Sequence, residues 1–474
     1  MSETLRPDIC VVGGGSAGLS VAAGAAQMGA SVVLVERDRM GGDCLNVGCV
    51  PSKALIAAAG AAAAARSGAL GAPRAEEQAD FAAVMGHVRR TIEAIAPHDS
   101  VERFTSLGVT VLQEEARFLD PRTIQAGGRR IAARRFVIAT GSRPRIPDLP
   151  GLREVPFLTN ETVFSLGALP RRLLVIGGGP VGCELGQAFA RLGTAVVVVQ
   201  QASILPKDDP ELVEGVRAAL ARDGVTLFED AKVTGVSAAA DGLAATVEGR
   251  DGGLREIEAS HLLVAAGRAP TVGSLDLEAA GVDFGAGGIT VDASLRTSNR
   301  RIYAIGDCVG DLPFTHVAGY HASLVVRQIL FRLPAKVRRA AIPWCTYTDP
   351  ELAQVGLTEA AAEAAGERPE VVRLPFVAND RARAEGRPEG LVKAVVGRGG
   401  RVLGAGIVGL GAGELILPWV LAIDRGLKIG AMATVVAPYP TRSEASKGAA
   451  GTYYARRLFT PRVRRLVKLL ARLG

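Results

Sequence analysis

Cys44 and Cys49 lie with four residues between them in the run Gly41-Gly42-Asp43-Cys44-Leu45-Asn46-Val47-Gly48-Cys49-Val50-Pro51-Ser52-Lys53. Just ahead of a helical stretch, two such thiols can meet across a turn and cycle between dithiol and disulfide. A helix N-terminus lowers a thiol pKa, so the reduced pair should carry a thiolate. A zinc site would need two further ligands nearby, and the neighbouring sequence supplies none. The plainer alternative is a pair of buried core cysteines. The other four cysteines, Cys10, Cys183, Cys308 and Cys345, read as small buried apolar residues.

Thiol chemistry of this kind needs an electron source, and the elements around the motif suggest one. Asp8 to Val12 is a short apolar run, followed by Gly13-x-Gly15-x-x-Gly18, a small-residue helix, and a second apolar run ending at Glu36. Glycines there allow a tight turn and close approach to a pyrophosphate at the helix N-terminus. An acid at the end of the next strand can bond a ribose hydroxyl. The pattern recurs: Leu173 to Ile176, then Gly177-x-Gly179-x-x-Gly182, a helix, and Ala195 to Val199. Two dinucleotide folds imply two dinucleotides, which suits electron transfer between them better than a binding module.

A third region from about Ile342 lacks a glycine fingerprint. It alternates strand-like runs (Leu391 to Val396, Val402 to Val408) with helical stretches (Glu414 to Asp424, Glu444 to Tyr454), the pattern of an α+β domain. The Ala/Gly-rich stretch from Ala57 to Ala75 reads as the one low-complexity linker. At 474 residues, 48% of them hydrophobic and 22% charged, the chain has room for about three domains and is not a disordered protein. No secretory signal is evident at the N-terminus, and the longest apolar run, Ala54 to Ala65, is too short to span a bilayer. Six cysteines do not form a disulfide framework, so a cytoplasmic setting is expected.

The net charge is +7, and the segment from 456 to 474 alone holds seven cations (Arg456, Arg457, Arg462, Arg464, Arg465, Lys468, Arg472) and no acid. A neutral body therefore carries a basic tail. Val463, Leu466, Val467, Leu470 and Leu473 recur in that tail at helical spacing after Pro461. The tail could lie peripherally on an anionic membrane surface, dock on an acidic protein partner, or pack on its own domain with the arginines solvated. Nucleic acid is not expected, because the charge is confined to one short segment without a recognition motif.

The cysteine motif closely resembles the redox-active disulfide of the class I pyridine nucleotide-disulfide oxidoreductases, whose members include dihydrolipoamide dehydrogenase, glutathione reductase and mercuric reductase. The resemblance covers almost the whole chain. Ala139-Thr140-Gly141-Ser142-Arg143-Pro144 and Ile305-Gly306-Asp307 resemble the family's further flavin motifs. Ala265-Ala266-Gly267-Arg268-Ala269-Pro270 resembles the return from the nicotinamide domain, Thr315-His316-Val317-Ala318 the segment beside the flavin ring, and Pro343-Trp344 through Thr348-Asp349-Pro350-Glu351 the start of the dimerisation domain.

The resemblance implies an α/β homodimer of two doubly wound Rossmann-type nucleotide-binding domains plus a C-terminal α+β dimerisation domain. FAD binding would occupy 1–150 and 270–340, nicotinamide binding 151–269 and dimerisation 341–460, with the basic tail at 461–474. FAD would be held by Gly13, Gly15, Gly18, Glu36, Thr140, Gly141, Gly306, Asp307 and Ala318. NADPH or NADH would be held by Gly177, Gly179, Gly182, Gln200, Lys207 and Gly267. Cys49 would be the thiol next to the flavin and Cys44 the exposed interchange thiol, with Lys53 paired to Glu184 beside the flavin ring.

Two departures bear on the reaction. Where disulfide-reducing members carry His-Pro-Thr-x-Ser-Glu, this chain reads Tyr439-Pro440-Thr441-Arg442-Ser443-Glu444, and its five histidines (His87, His98, His261, His316, His321) all lie earlier. Tyrosine, with a pKa near 10, is a poor base at neutral pH. Mercuric reductase also has tyrosine here, but it delivers its metal through a C-terminal cysteine pair that this tail lacks. Tyr439 could equally be a packing residue at the dimer interface. In the second fold, Gln200 replaces the acid expected for NADH, which tips the expectation toward NADPH. The sequence thus points to a small-molecule acceptor reduced through Cys44 and Cys49, either a soft metal ion such as Hg(II) or a low-molecular-weight disulfide. The alternatives are a dihydrolipoamide dehydrogenase-like enzyme, a flavin-direct quinone or diaphorase reductase, and a docked flavoprotein subunit.

Overall fold

In the computed structural model, which describes residues 4–473, each glycine fingerprint joins a parallel sheet to a helix. The first sheet has the strand order Ile302–Ala304, Arg135–Ile138, Ile9–Val12, Val32–Val35, Val109–Leu112. Its outermost strand comes from far along the chain, after the second nucleotide unit, so the first unit is discontinuous in sequence. The second sheet runs Thr226–Phe228, Ala195–Val199, Arg172–Ile176, His261–Val264. Apart from Arg135 and Arg172 at their first positions, the inner strands of both are apolar, as expected for parallel strands covered on both faces. A short antiparallel pair, Ser142–Pro144 with Arg268–Pro270, joins the two units where the chain returns.

The two units repeat at atomic level. A Cβ on Gly18 would fall 1.8 Å from the Gly13 carbonyl oxygen, and one on Gly182 would fall 1.9 Å from that of Gly177. Only glycine lets helices Ser16–Gln27 and Pro180–Leu192 pack that closely on their preceding turns.

The third domain is a five-stranded antiparallel sheet, ordered Pro343–Thr346, Glu351–Gly356, Val402–Gly409, Leu391–Val396, Glu370–Pro375. Helix Glu444–Leu458 lies against it, and the fully buried Trp419 donates to Ser446 Oγ at 3.0 Å in its core. The single helix expected over Glu414 to Asp424 is two, Ala412–Leu415 and Leu417–Asp424, the second opening at Pro418 where a missing N–H costs nothing. The expected linker from Ala57 to Ala75 is also different, because helix Cys49–Ser67 claims most of it. Alanine is the best helix former, and this run uses it to pack closely. The helical run Gly42–Ser67 is long and apolar enough to cross a membrane, which the shorter apolar run did not suggest. Ala54, Leu55 and Ala59 pack instead against Phe81, Met85 and Phe189 of neighbouring helices.

A buried ion cluster ties the second nucleotide unit to the third domain. Lys393, with a side chain only 5% exposed, reaches Asp209 at 2.8 Å, Glu211 at 2.9 Å and Glu359 at 3.0 Å. Trp344 Nε1 donates to Asp208 at 2.7 Å beside it. Arg191 bridges Asp223 at 2.8 Å and Asp349 at 2.9 Å across the same junction.

Candidate active site

The redox motif folds as two helices. Gly42–Asn46 carries Cys44, and Cys49 is the first residue of Cys49–Ser67. Gly48 between them turns the chain so that the two thiols hydrogen-bond to each other. Thr315, at the start of helix Thr315–Phe331, brings its hydroxyl within 3.4 Å of Cys49 Sγ. Ser16 and Thr315 both hydrogen-bond Cys44.

These contacts polarise the pair. The hydrogen bond from Cys44 brings the Cys49 thiol down to about 6, with further help from Thr315 and the Lys53 ammonium and against the opposing effect of burial. The same bond, together with burial and the Cys49 charge, drives the Cys44 thiol upward. The first thiolate of the dithiol therefore forms on Cys49. In the chain by itself Cys49 is exposed and Cys44 half-buried, and both lie within reach of the Thr315 hydroxyl.

Lys53 and Glu184 meet as expected, Nζ to Oε2 at 2.7 Å, although 131 residues separate them. Glu184 is buried, and its other oxygen accepts the Tyr347 amide at 2.8 Å. The Lys53 ammonium also lies over the Tyr347 ring, 4.4 Å from its centroid. Tyr347 was not foreseen; it lies inside the Pro343 to Glu351 stretch that marks the third domain.

The glycine turns expected to hold cofactors fall at the C-terminal edges of the two parallel sheets. Gly13, Gly15 and Gly18 form the first turn, and Glu36 at the end of Val32–Val35 accepts the Gly14 amide. Gly177, Gly179 and Gly182 repeat it, and there the Gln200 carboxamide oxygen accepts the Gly178 amide at 2.8 Å. Gln200 thus takes the structural place of Glu36 without its charge, and Lys207 is exposed nearby in the chain. The Thr140 hydroxyl donates to the Thr271 carbonyl at 2.6 Å, which leaves its backbone for a ligand. A Cβ at Gly141, Gly179 or Gly267 would meet nothing within 4 Å, so the backbone there stands open. With two helix N-termini offering unpaired amides, these turns fit dinucleotide pyrophosphates.

Asp307 belongs to a polar knot that joins the first fold to the redox motif. Its carboxylate accepts Ser142 Oγ at 2.5 Å, Arg268 Nε donates to the same hydroxyl at 2.7 Å, and Arg268 reaches Asp43 at 3.1 Å. Burial raises the Asp307 pKa against the pull of Ser142 and Arg268. Ala318 is buried in the next helix. The Gly306 amide donates to Nδ1 of the buried His321 at 3.3 Å, which requires a neutral ring, and burial holds its pKa down.

Tyr439 is 72% exposed, and its hydroxyl donates to Asp380 Oδ2 at 3.3 Å. The Asp380 charge raises the tyrosine pKa. Glu444 does not orient Tyr439; it accepts the Thr441 amide at 3.4 Å within its own turn. The same domain leaves Leu417, Leu421, Val435 and Val436 exposed.

Residues 7–322 match the family of pyridine nucleotide-disulphide oxidoreductases, and residues 342–450 match that family's dimerisation domain. The chain belongs to this family. It is a flavoprotein NAD(P)H-dependent oxidoreductase. A mercuric reductase of Bacillus cereus is 36% identical over 450 residues, covering 94% of this chain and 71% of that one. A dihydrolipoyl dehydrogenase of Haloferax volcanii is 34% identical over 94% of this chain and 95% of its own. The HOCl-induced flavoprotein disulfide reductase RclA of Escherichia coli superposes with a TM-score of 0.84 at 26% identity, over 94% of this chain and 99% of its own.

Proposed function

We propose that this oxidoreductase passes electrons from NAD(P)H through Cys44 and Cys49 to a small thiophilic acceptor, a soft metal ion such as Hg(II) being favoured over an organic disulfide. The observation that carries this reading is the proton arrangement. Cys44 is held as a thiol, and Tyr439, which would meet the interchange site from the partner subunit of a homodimer, is held protonated by Asp380. Attack on an organic disulfide needs a Cys44 thiolate and a group to take its proton. A soft cation displaces the proton itself, since its affinity is for the sulfur anion. The mercuric reductase relatives support the same direction.

FAD, cradled by Gly13, Gly15, Gly18, Glu36 and Asp307, would supply two-electron acceptance from the nicotinamide. Around it, Lys53 is aimed by Glu184 and Tyr347. Two electrons and two protons open the disulfide to Cys44 thiol and Cys49 thiol, and Cys49 then loses its proton near neutrality. The neutral Gln200 in the place of an acid supports NADPH, because no carboxylate there repels a 2′-phosphate.

The decisive experiment follows NADPH and NADH oxidation by the purified flavoprotein with thiol-complexed Hg(II), lipoamide and glutathione disulfide offered in parallel. Hg(II) turnover that disappears in Cys44→Ser, with flavin reduction intact, is the expected result. Fast lipoamide turnover, or undiminished acceptor reduction by Cys44→Ser, overturns it; the latter would mean a reductase working directly from the flavin.

A further inference from the structure

The chain ends in helix Pro461–Leu470, capped by Thr460, whose hydroxyl accepts the Val463 amide at 3.3 Å. Every residue from 464 to 473 is exposed, including Leu466 at 53%, Leu470 at 55% and Leu473 at 77%. At 3.6 residues per turn, Val463, Leu466, Val467, Leu470 and Leu473 share an arc of roughly 120°. Arg464, Arg465, Lys468 and Arg472 fill the opposite arc, and Arg462 flanks the apolar one. Among the described residues none of these five cations has an ion-pair partner, whereas Arg456 and Arg457 just upstream are engaged by Glu370.

We propose that this helix is an interfacial docking element that seats the enzyme on an anionic lipid surface. The helix has no acidic residue, and the net charge of +7 equals the seven cations between 456 and 474, so the attraction is concentrated at one point of a neutral body. Ten residues span about 15 Å, half a bilayer core at most, so the helix can lie in the headgroup plane but not cross it. A flat surface that is charged outside and apolar beneath engages both arcs at once. The arginine and lysine stems lie along the boundary with their charges among the headgroups. Pairing with a second copy is disfavoured, because the apolar seam is flanked by like charges and no carboxylate is available to offset them.

Flotation of the full-length flavoprotein with vesicles tests this. Phosphatidylcholine vesicles are compared with equimolar phosphatidylcholine and phosphatidylglycerol, at low and raised salt. Binding to the anionic vesicles should exceed binding to the neutral ones on the order of a hundredfold and weaken with salt. Two variants, Leu466→Asp with Leu470→Asp and Arg464→Glu with Lys468→Glu, should each abolish flotation while NAD(P)H oxidation is unchanged. These residues are exposed and outside the redox site, so folding is preserved. Absence of flotation, equal binding to neutral vesicles, or flotation by either variant overturns the proposal. A change of oligomeric state in the variants would assign the helix to the subunit interface, and tighter binding to an acidic polypeptide than to vesicles would assign it to a protein partner.

Discussion

The Tyr439 hydroxyl donates to Asp380 at 3.3 Å, and the carboxylate raises the tyrosine pKa. The pair is a proton donor at neutral pH rather than an acceptor, at the position where disulfide-reducing relatives use a histidine base. Restoring the base should restore the chemistry. Tyr439→His should raise glutathione disulfide or lipoamide turnover by about 10²-fold and leave Hg(II) turnover no higher, since general-base help is typically of that size. Steady-state rates with each acceptor, measured at matched flavin content, check it. A parallel rise for both acceptors would show that Tyr439 does not discriminate between them.

The Lys53–Glu184 pair spans two helices from different nucleotide units, with only 7% of the Glu184 side chain exposed. Glu184→Gln keeps the shape and removes the charge that fixes Lys53. Flavin reduction by NAD(P)H, followed by stopped-flow absorbance, should slow by roughly tenfold, while flavin content stays at wild-type level. Tyr347→Leu should act in the same direction but less strongly, as the ring face adds about 1 kcal/mol to the same cation.

The reduced enzyme should titrate through Cys49. With its pKa lowered to about 6, mainly by the hydrogen bond from Cys44, the thiolate is present at neutrality and is lost as the pH falls through that value. Thiolate absorbance near the ultraviolet edge, recorded on two-electron-reduced protein, should show this midpoint, and acceptor reduction should decline with it. Thr315→Val removes a donor to the thiolate and should move the midpoint upward. An unchanged midpoint would mean that the Thr315 hydroxyl donates elsewhere.

The parts of this site carried by local motifs were legible from sequence, because glycine turns and the cysteine spacing have a mechanical meaning of their own. The Gly13 to Gly18 and Gly177 to Gly182 turns and the thiol pair are of this kind, whereas the Lys53–Glu184 contact, 131 residues apart, was expected only through the family resemblance. What stayed hidden was whatever depends on chain segments meeting from afar. Arg268, 225 residues from Asp43, joins that residue to Ser142 and Asp307; its motif was visible in the sequence, but not which carboxylates its guanidinium would meet. Asp380 reaches Tyr439 from a different turn, and His321 holds the Gly306 amide across one helix and its preceding loop. The tail was read as amphipathic, but only the fold shows that its apolar arc lies uncovered in the chain.

Lys393 gives the sharpest stability test. Its side chain is buried among Asp209, Glu211 and Glu359, and Asp209 also caps helix Pro210–Arg222 by accepting the Glu211 amide. Lys393→Met removes the buried cation shared by Asp209, Glu211 and Glu359 and leaves Arg373 at the edge to serve only the two glutamates, a loss of about 3–5 kcal/mol, seen as a fall in Tm. The pH dependence fixes the mechanism. Arg373 first, and Lys393 after it, hold the Glu211 carboxyl down to about 2, against 4.5 for a free glutamate. A depressed acid contributes stability above its unfolded value, and that contribution is lost as the pH falls through the folded value. Wild-type protein should therefore lose stability progressively below about pH 4.5. The variant should lose somewhat less over that range, because the Lys393 contribution is gone while Arg373 still holds Glu211 down. Because the cluster joins the nicotinamide unit to the third domain, the variant should also raise KM for the nicotinamide while retaining FAD. A lowered Tm with the wild-type pH profile would instead point to lost packing around the lysine stem.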